Sequence, residues 1–268
     1  ELGAVGPGEH GAQAAGGDRA VGLLGGEVGA FHRRAGQCGI LTQAAPSPVR
    51  GRSAVVPSVM AEAHSLVVTA ADGFPLSATL WLPDSGTSPK RVVIVNAGAG
   101  IPARYYDRFA AWLADRGLPT LTYDYRGIGR SRPARLRGFE ATVEMWGSKD
   151  CAAMLDAMVA RFPSARLAVL GHSIGGFVTG LAPGGERVDR LALVGTHTGY
   201  WRDYAPRVRL PMYVAWHLAM PAVTRVLGYF PGRRFGLPED LPAGAARDWA
   251  RRRRPDPWWY LKRDDGSP

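Results

Sequence analysis

The chain has 268 residues with 33 Lys+Arg against 23 Asp+Glu (formal net charge +10), 35 Gly, 21 Pro and 2 Cys, a size that suits one domain. Cys38 and Cys151 form neither a Cys-x-x-Cys pair nor a disulfide framework, which excludes a stapled secreted miniprotein. The best candidate for a membrane span, Leu210 to Phe230, is broken by His217, Pro221 and Arg225 and falls short of the ~20 continuous apolar residues required, so a soluble, cytoplasmic chain is expected. Arginine supplies 30 of the 33 positive charges amid abundant Ala, Gly and Pro, a pattern of GC-rich coding, and no nucleic-acid partner is expected. The run Arg251 to Arg254, followed by Trp258, Trp259 and Tyr260, has the make-up of a nucleic-acid contact but reads more simply as a solvated helix end.

Residues 1–59 are rich in Gly and Ala, contain Phe31 as their one aromatic residue, and show neither strand nor helix periodicity. They are expected to be a disordered or non-native extension, with Met60 as the natural start. A basic n-region, apolar h-region and cleavage site are absent from them. From Met60 onward the pattern is regular. His64 to Thr69 and Leu76 to Leu82 flank Ala71-Asp72-Gly73 as a hairpin. Arg91 to Asn96 is a β-branched run of the kind buried on both faces. Tyr106, Phe109, Ala110 and Leu113 predict an amphipathic helix over 105–116 that ends at Gly117. Pro119 to Tyr123 predicts a strand. Cys151, Met154, Leu155, Met158 and Phe162 mark one face of a helix over 144–162 that Pro163 ends. Arg166 to Leu170 predicts a strand, Gly175 to Leu181 a helix and Arg190 to Gly195 a further strand. Two antiparallel strands followed by strand–helix alternation predict an α/β fold with a mostly parallel sheet and helices on both faces. No strand signal follows Gly195, and 199–268 reads as a helical cap following a core over 60–198.

The segment bearing chemistry is Gly171-His172-Ser173-Ile174-Gly175-Gly176, a G-x-S-x-G string between a predicted strand and a predicted helix. A tight strand-to-helix turn of this kind raises the serine hydroxyl above the sheet, and flanking glycines are needed where a Cβ would strike neighbouring backbone. Ser173 is therefore the candidate nucleophile, with Gly171, His172 and Gly175 completing the nucleophile elbow. The helix after it aims free N–H groups at a reacting carbonyl oxygen. A second turn, Asn96-Ala97-Gly98-Ala99-Gly100, leaves a buried strand and lets backbone approach a ligand, so the N–H of Ala99 or of Gly98 joins that of Ile174 as a candidate oxyanion-hole donor. No metal site and no cofactor are called for.

These two turns, together with Asp124-Tyr125-Arg126-Gly127-Ile128-Gly129-Arg130-Ser131, resemble the α/β-hydrolase superfamily in its serine aminopeptidase-like, monoacylglycerol lipase-like and esterase-like branches. Tyr200-Trp201 and the stretch Leu227 to Arg234 are similar to a bacterial group of predicted α/β hydrolases, and the resemblance runs from about Ser65 to the C-terminus. It implies hydrolysis of a small-molecule ester or amide through an acyl-serine intermediate, and a structural role for the turn from Asp124 to Ser131. It also implies the chain order serine, acid, histidine, with acid and base after later strands. Neither is found here, so an incomplete copy with an exposed apolar sheet edge is expected. His172 is expected to point away from the site, His197 to wall or cap it, and His217 to pack within a helix, while His10, His32 and His64 precede the core. The alternative is a non-catalytic binding or partner protein on the same scaffold.

Overall fold

The computed structural model describes residues 61–84 and 88–251. The expectations for residues 1–59 and Met60, including Cys38, His10 and His32, and for 252–260 of the arginine and aromatic run, lie outside the described residues.

Strands β1 (Glu62–Thr69) and β2 (Pro75–Leu82) pair antiparallel, with Thr69 opposite Pro75. The turn between them closes through Ala70 N–H to Phe74 O at 2.9 Å and Gly73 N–H to Ala70 O at 2.8 Å. Next come β3 (Arg91–Asn96), helix α1 (Asp107–Ala114) after a 3-10 turn at Ala103–Tyr106, and β4 (Thr120–Tyr123). A helical stretch follows, made of α2 (Val143–Met145), a π-helical segment Trp146–Cys151 and α3 (Ala152–Arg161). The chain continues through β5 (Arg166–His172), α4 (Ile174–Leu181) and β6 (Val188–Val194). The sheet order is β1-β2-β4-β3-β5-β6, antiparallel across β1-β2-β4 and parallel across β4-β3-β5-β6. Val92 to Val95 and all of β4 are buried, as expected of strands covered on both faces. Helix α1 packs on β4 and β2, α3 on β1 and β3, and α4 on β5 and β3. The predicted mixed sheet is the observed one.

Beyond β6 lie α5 (Pro206–Val214), a π-helical segment Ala215–Ala219, α6 (Met220–Leu227), β7 (Tyr229–Phe230), β8 (Leu241–Pro242) and α7 (Ala243–Ala250). Strands β7 and β8 correct the expectation of no strand after Gly195. Each is two residues long, too short to show alternation, and they pair with one another outside the main sheet. Strand β6 is an edge of the main sheet, with Leu191 47 %, Leu193 54 % and Val194 52 % exposed, an apolar edge of the kind the sequence predicted. Among the described residues, no helix is long and apolar enough to cross a membrane.

The buried face of α1 differs from its predicted one. Tyr106, Ala110 and Ala114 are buried, whereas Phe109 is 39 % exposed and stacks on Trp112 with ring centroids 5.9 Å apart. Tyr106 belongs to the 3-10 turn, and the row of residues four apart from it carries two alanines, whose small side chains fit a helix closely to the sheet. In the long helical stretch, Cys151, Met154, Leu155 and Met158 are buried as predicted, and the π-helical segment at its start was not anticipated.

The turn after β4 is held by charge. Arg126, nearly inaccessible, donates its Nε to Asp150 Oδ1 at 2.6 Å and its backbone N–H to Asp150 Oδ2 at 2.9 Å. Its terminal nitrogens grip both oxygens of Asp72 at 2.7 and 3.1 Å, and Lys149 reaches Asp72 at 3.0 Å. The Trp146 indole donates to Arg126 O at 3.1 Å and stacks on Tyr125. Asp124 accepts from Ala103 N–H at 2.7 Å and Arg130 N–H at 2.9 Å, and a Cβ at Gly129 would strike its carboxylate. The expected structural role of this turn agrees with these bonds.

The two carboxylates flanking Arg126 titrate in opposite senses. The hydrogen bond from Arg126 holds Asp72 well below the usual aspartate range, while burial pushes Asp150 up to about 6. Asp72 therefore contributes stability that is present above the unfolded value of about 3.9 and is lost as pH falls further, whereas the Asp150 contribution is lost as pH rises through about 6. In urea unfolding followed from about pH 5 to pH 2, Asp72→Asn is expected to lose stability less steeply than the wild type; equal slopes would contradict the assignment.

Candidate active site

The end of β5 and the start of α4 meet at Ser173. Its φ of 53° and ψ of −118° make it the only non-glycine residue with positive φ among the described residues. A conformation of that kind costs about 1–3 kcal/mol and persists only where the surroundings enforce it. Here the enforcement is steric. A Cβ on Gly171 would stand 2.6 Å from Gly176 N, and a Cβ on Gly175 would collide with the carbonyl oxygen of Asn96. Helix α4 therefore begins in backbone contact with the end of β3, and the chain has room for one sharp turn. Ser173 N–H donates to Val194 O at 2.9 Å, which ties the turn to β6 as well. Ser173 itself is half-buried.

Asn96, fully buried at the end of β3, anchors this contact. Its Nδ2 donates to Thr179 Oγ1 of α4 at 2.9 Å and to Cys151 Sγ at 3.3 Å, and its Oδ1 accepts from Tyr123 Oη of β4 at 2.7 Å. Burial pushes the Cys151 thiol up to about 11, so this cysteine stays protonated and takes part as a packed, weakly polar group.

The turn after Asn96 is fastened by two tyrosines. Tyr125 Oη donates to Ala97 O at 3.2 Å, and Gly98 N–H donates to Tyr106 Oη at 3.0 Å. Tyr106 Oη also lies 2.7 Å from His172 Nδ1, their rings edge-on with centroids 6.0 Å apart. Burial pushes the Tyr106 phenol up to about 12. Of the two alternatives read for the oxyanion turn, Gly98 thus has its N–H engaged, and Ala99 N–H makes no such bond. The N–H of Ile174, first residue of α4, has no acceptor within the helix.

The histidines fall as follows. His172 turns its ring toward Tyr106. His197 accepts from Gly199 N–H at 2.9 Å and lies edge-on to Tyr204. His217 is buried and donates through Nδ1 to Ala250 O at 2.7 Å, so it packs its helix against α7. His64 sits on β1, 3.3 Å from Glu62. Among the described residues, no imidazole is hydrogen-bonded to the Ser173 hydroxyl. Two polar groups beside the site went unread in the sequence. Tyr106 was read only as part of an apolar face, although a buried phenol needs a hydrogen-bond partner. Glu239, nearly inaccessible, receives Arg132 and Arg233, and its backbone carbonyl faces Gly100.

The close contact at Gly175 gives a direct test. Gly175→Ala is expected to lose about 2–4 kcal/mol of stability, because helix α4 must retreat from Asn96. Gly180→Ala, on the same helix with open space around the added methyl, is expected to be neutral or to gain up to about 1 kcal/mol. Denaturant unfolding of both variants provides the measurement, and an equal effect at the two positions would contradict the steric account.

Residues 87–249 match the family model described as serine aminopeptidase, S33. Among curated proteins, the chain is similar to the monoglyceride lipase of Mus musculus, 31 % identical over 109 residues, which is 41 % of this chain and 34 % of the relative. The monoglyceride lipase of Homo sapiens is 32 % identical over 108 residues, 40 % of this chain and 34 % of the relative. The aligned part thus spans about a third of the length of these relatives. A hypothetical protein from Pseudomonas aeruginosa shares the fold with a TM-score of 0.50 and 15 % identity, covering 72 % of each chain. With the six-stranded mixed sheet, the strand-to-helix turn at Ser173 and a family match over more than half its length, the chain belongs to the serine aminopeptidase S33 family and has the α/β-hydrolase fold.

Proposed function

We propose that the protein is a serine hydrolase acting on carboxylic esters, with Ser173 as its nucleophile. The observation carrying this reading is the strained serine at φ 53°, wedged between Gly171 and Gly175 at the start of α4. Ser173 Oγ attacks the ester carbonyl while its proton passes to an imidazole, and the carbonyl oxygen becomes an oxyanion. N–H groups of Ile174 and of the turn Asn96 to Gly100 stabilise that charge, each contributing about 3 kcal/mol. Collapse expels the alcohol, which takes the proton, and leaves acyl-Ser173 for attack by water. In the family order of serine, acid, histidine the imidazole and its carboxylate partner follow later strands, and residues 252–268 contain no histidine to fill that place.

Within this reading, the described residues up to 198 form the catalytic core and those from 199 to 251 a cap. The cap brings aromatic rings into contact, Tyr200 with Trp201, Trp201 with Tyr213 and Tyr204 with Trp216. Such a surface suits an apolar acyl portion, in keeping with the similarity to monoglyceride lipases. A non-catalytic binding role is the second reading, favoured by the lack of an imidazole bonded to Ser173 among the described residues.

A fluorophosphonate probe and p-nitrophenyl esters of short and long acyl chains separate the two. The full chain is expected to be labelled and to hydrolyse esters, and Ser173→Ala to lose both. A full chain that is neither labelled nor active would overturn the hydrolase reading in favour of the binding role.

A further inference from the structure

We propose that Tyr106 and His172 are positioning residues which lock the turn after β3 onto the elbow and leave Ala99, not Gly98, as the oxyanion donor of that turn. The proposal rests on the serine-hydrolase reading. Its basis is a continuous chain of hydrogen bonds from Gly98 N–H to Tyr106 Oη at 3.0 Å and on to His172 Nδ1 at 2.7 Å. This chain joins the two segments that supply the proposed oxyanion donors. His172 immediately precedes Ser173, Gly98 immediately precedes Ala99, and Tyr106 closes the 3-10 turn leading into α1.

The phenol accepts the Gly98 N–H, and its own proton is assigned to His172 Nδ1, 2.7 Å away. His172 is then the neutral tautomer with its proton on Nε2, and Nδ1 serves as acceptor. That imidazole is occupied in holding the turn and is not the base for Ser173. Packing tightens the same junction, since a Cβ on Gly98 would stand 3.1 Å from His172 Nδ1 and 2.8 Å from the Ile101 side chain. Ile101 N–H closes the turn on Gly98 O at 3.1 Å. With Gly98 N–H consumed by Tyr106, the next amide, Ala99, is the one left for substrate. An oxyanion hole needs its donors fixed relative to the nucleophile, and displacements on the order of 1 Å cost about a hundredfold in rate.

The test uses the full chain, Tyr106→Phe, His172→Asn and His172→Leu. Tyr106→Phe keeps the ring and removes the hydroxyl. Fluorophosphonate labelling of Ser173 is expected to slow about tenfold, and ester hydrolysis to lose kcat with little change in KM. Nitrogen-15 NMR is expected to find His172 as the Nε2–H tautomer in the wild type and as a mixture in Tyr106→Phe, and hydrogen exchange at the Gly98 amide to accelerate in that variant. His172→Asn, whose Oδ1 accepts near the position of Nδ1, is expected to retain more of the labelling rate than His172→Leu. Should Tyr106→Phe not fold, His172→Leu breaks the same bond from the other side. Wild-type labelling rates in both Tyr106→Phe and His172→Leu would overturn the positioning role. Unchanged Gly98 exchange in the folded variants would overturn the bond itself. A wild-type chain that takes no label removes the hydrolase reading and the positioning role with it, while the tautomer and Gly98 exchange still report whether the bond exists.

Discussion

The contact between the start of α4 and the last carbonyl of β3 is the constraint on which the site depends. Gly175 lies so near Asn96 O that no side chain fits between them, and Gly171 packs against Gly176 just below. With the helix that close to the sheet, the connection is a single residue, and that residue must take positive φ. The strain at Ser173 is offset by the packing of α4 on β3 and β5, and it is directional, because it sets a hydroxyl beside the first free N–H of a helix.

Asn96 turns this backbone contact into a wider framework. One buried amide bonds β4 through Tyr123, α4 through Thr179 and the long helical stretch through Cys151. A buried amide left with an open hydrogen bond costs about 1–3 kcal/mol, so its satisfied partners fix one arrangement of these elements and penalise others. The tyrosines just after β4 and in the 3-10 turn extend the framework to the glycine turn, with Tyr125 on Ala97 O and Tyr106 on Gly98 N–H.

A second framework, built on charge, holds the turn after β4. Arg126 is enclosed with Asp150 and shared with Asp72, which ties the turn after β4 to the hairpin and to the helical stretch. Burying this pair carries a large desolvation cost, and Asp150 shows it in a carboxyl pushed up to about 6. Such a pair adds little net stability over a well-packed apolar substitute, yet removing one partner strands a buried charge at a cost of about 3–5 kcal/mol. Its role is to specify where the β4 turn sits.

What the sequence determined by itself is local. β-branched runs marked the central strands, glycine and proline marked where helices stop, and Gly171-His172-Ser173-Ile174-Gly175 marked a strand-to-helix turn whose sterics are encoded within a few residues. The exposed apolar edge at β6 was expected on other grounds, from the resemblance together with the lack of a strand signal able to cover it. The tertiary structure decided what depends on distant partners. That Phe109 faces outward while Tyr106 faces inward follows from the 3-10 turn before α1, and the short β7–β8 pair joins Tyr229 to Pro242 and Phe230 to Leu241, residues with no pattern of their own. The pairing of Arg126 with Asp72 and Asp150, 54 and 24 residues away, and of Tyr106 with His172, 66 residues away, leaves no periodic trace in a sequence, because a hydrogen bond is specified by where the sheet brings two side chains together.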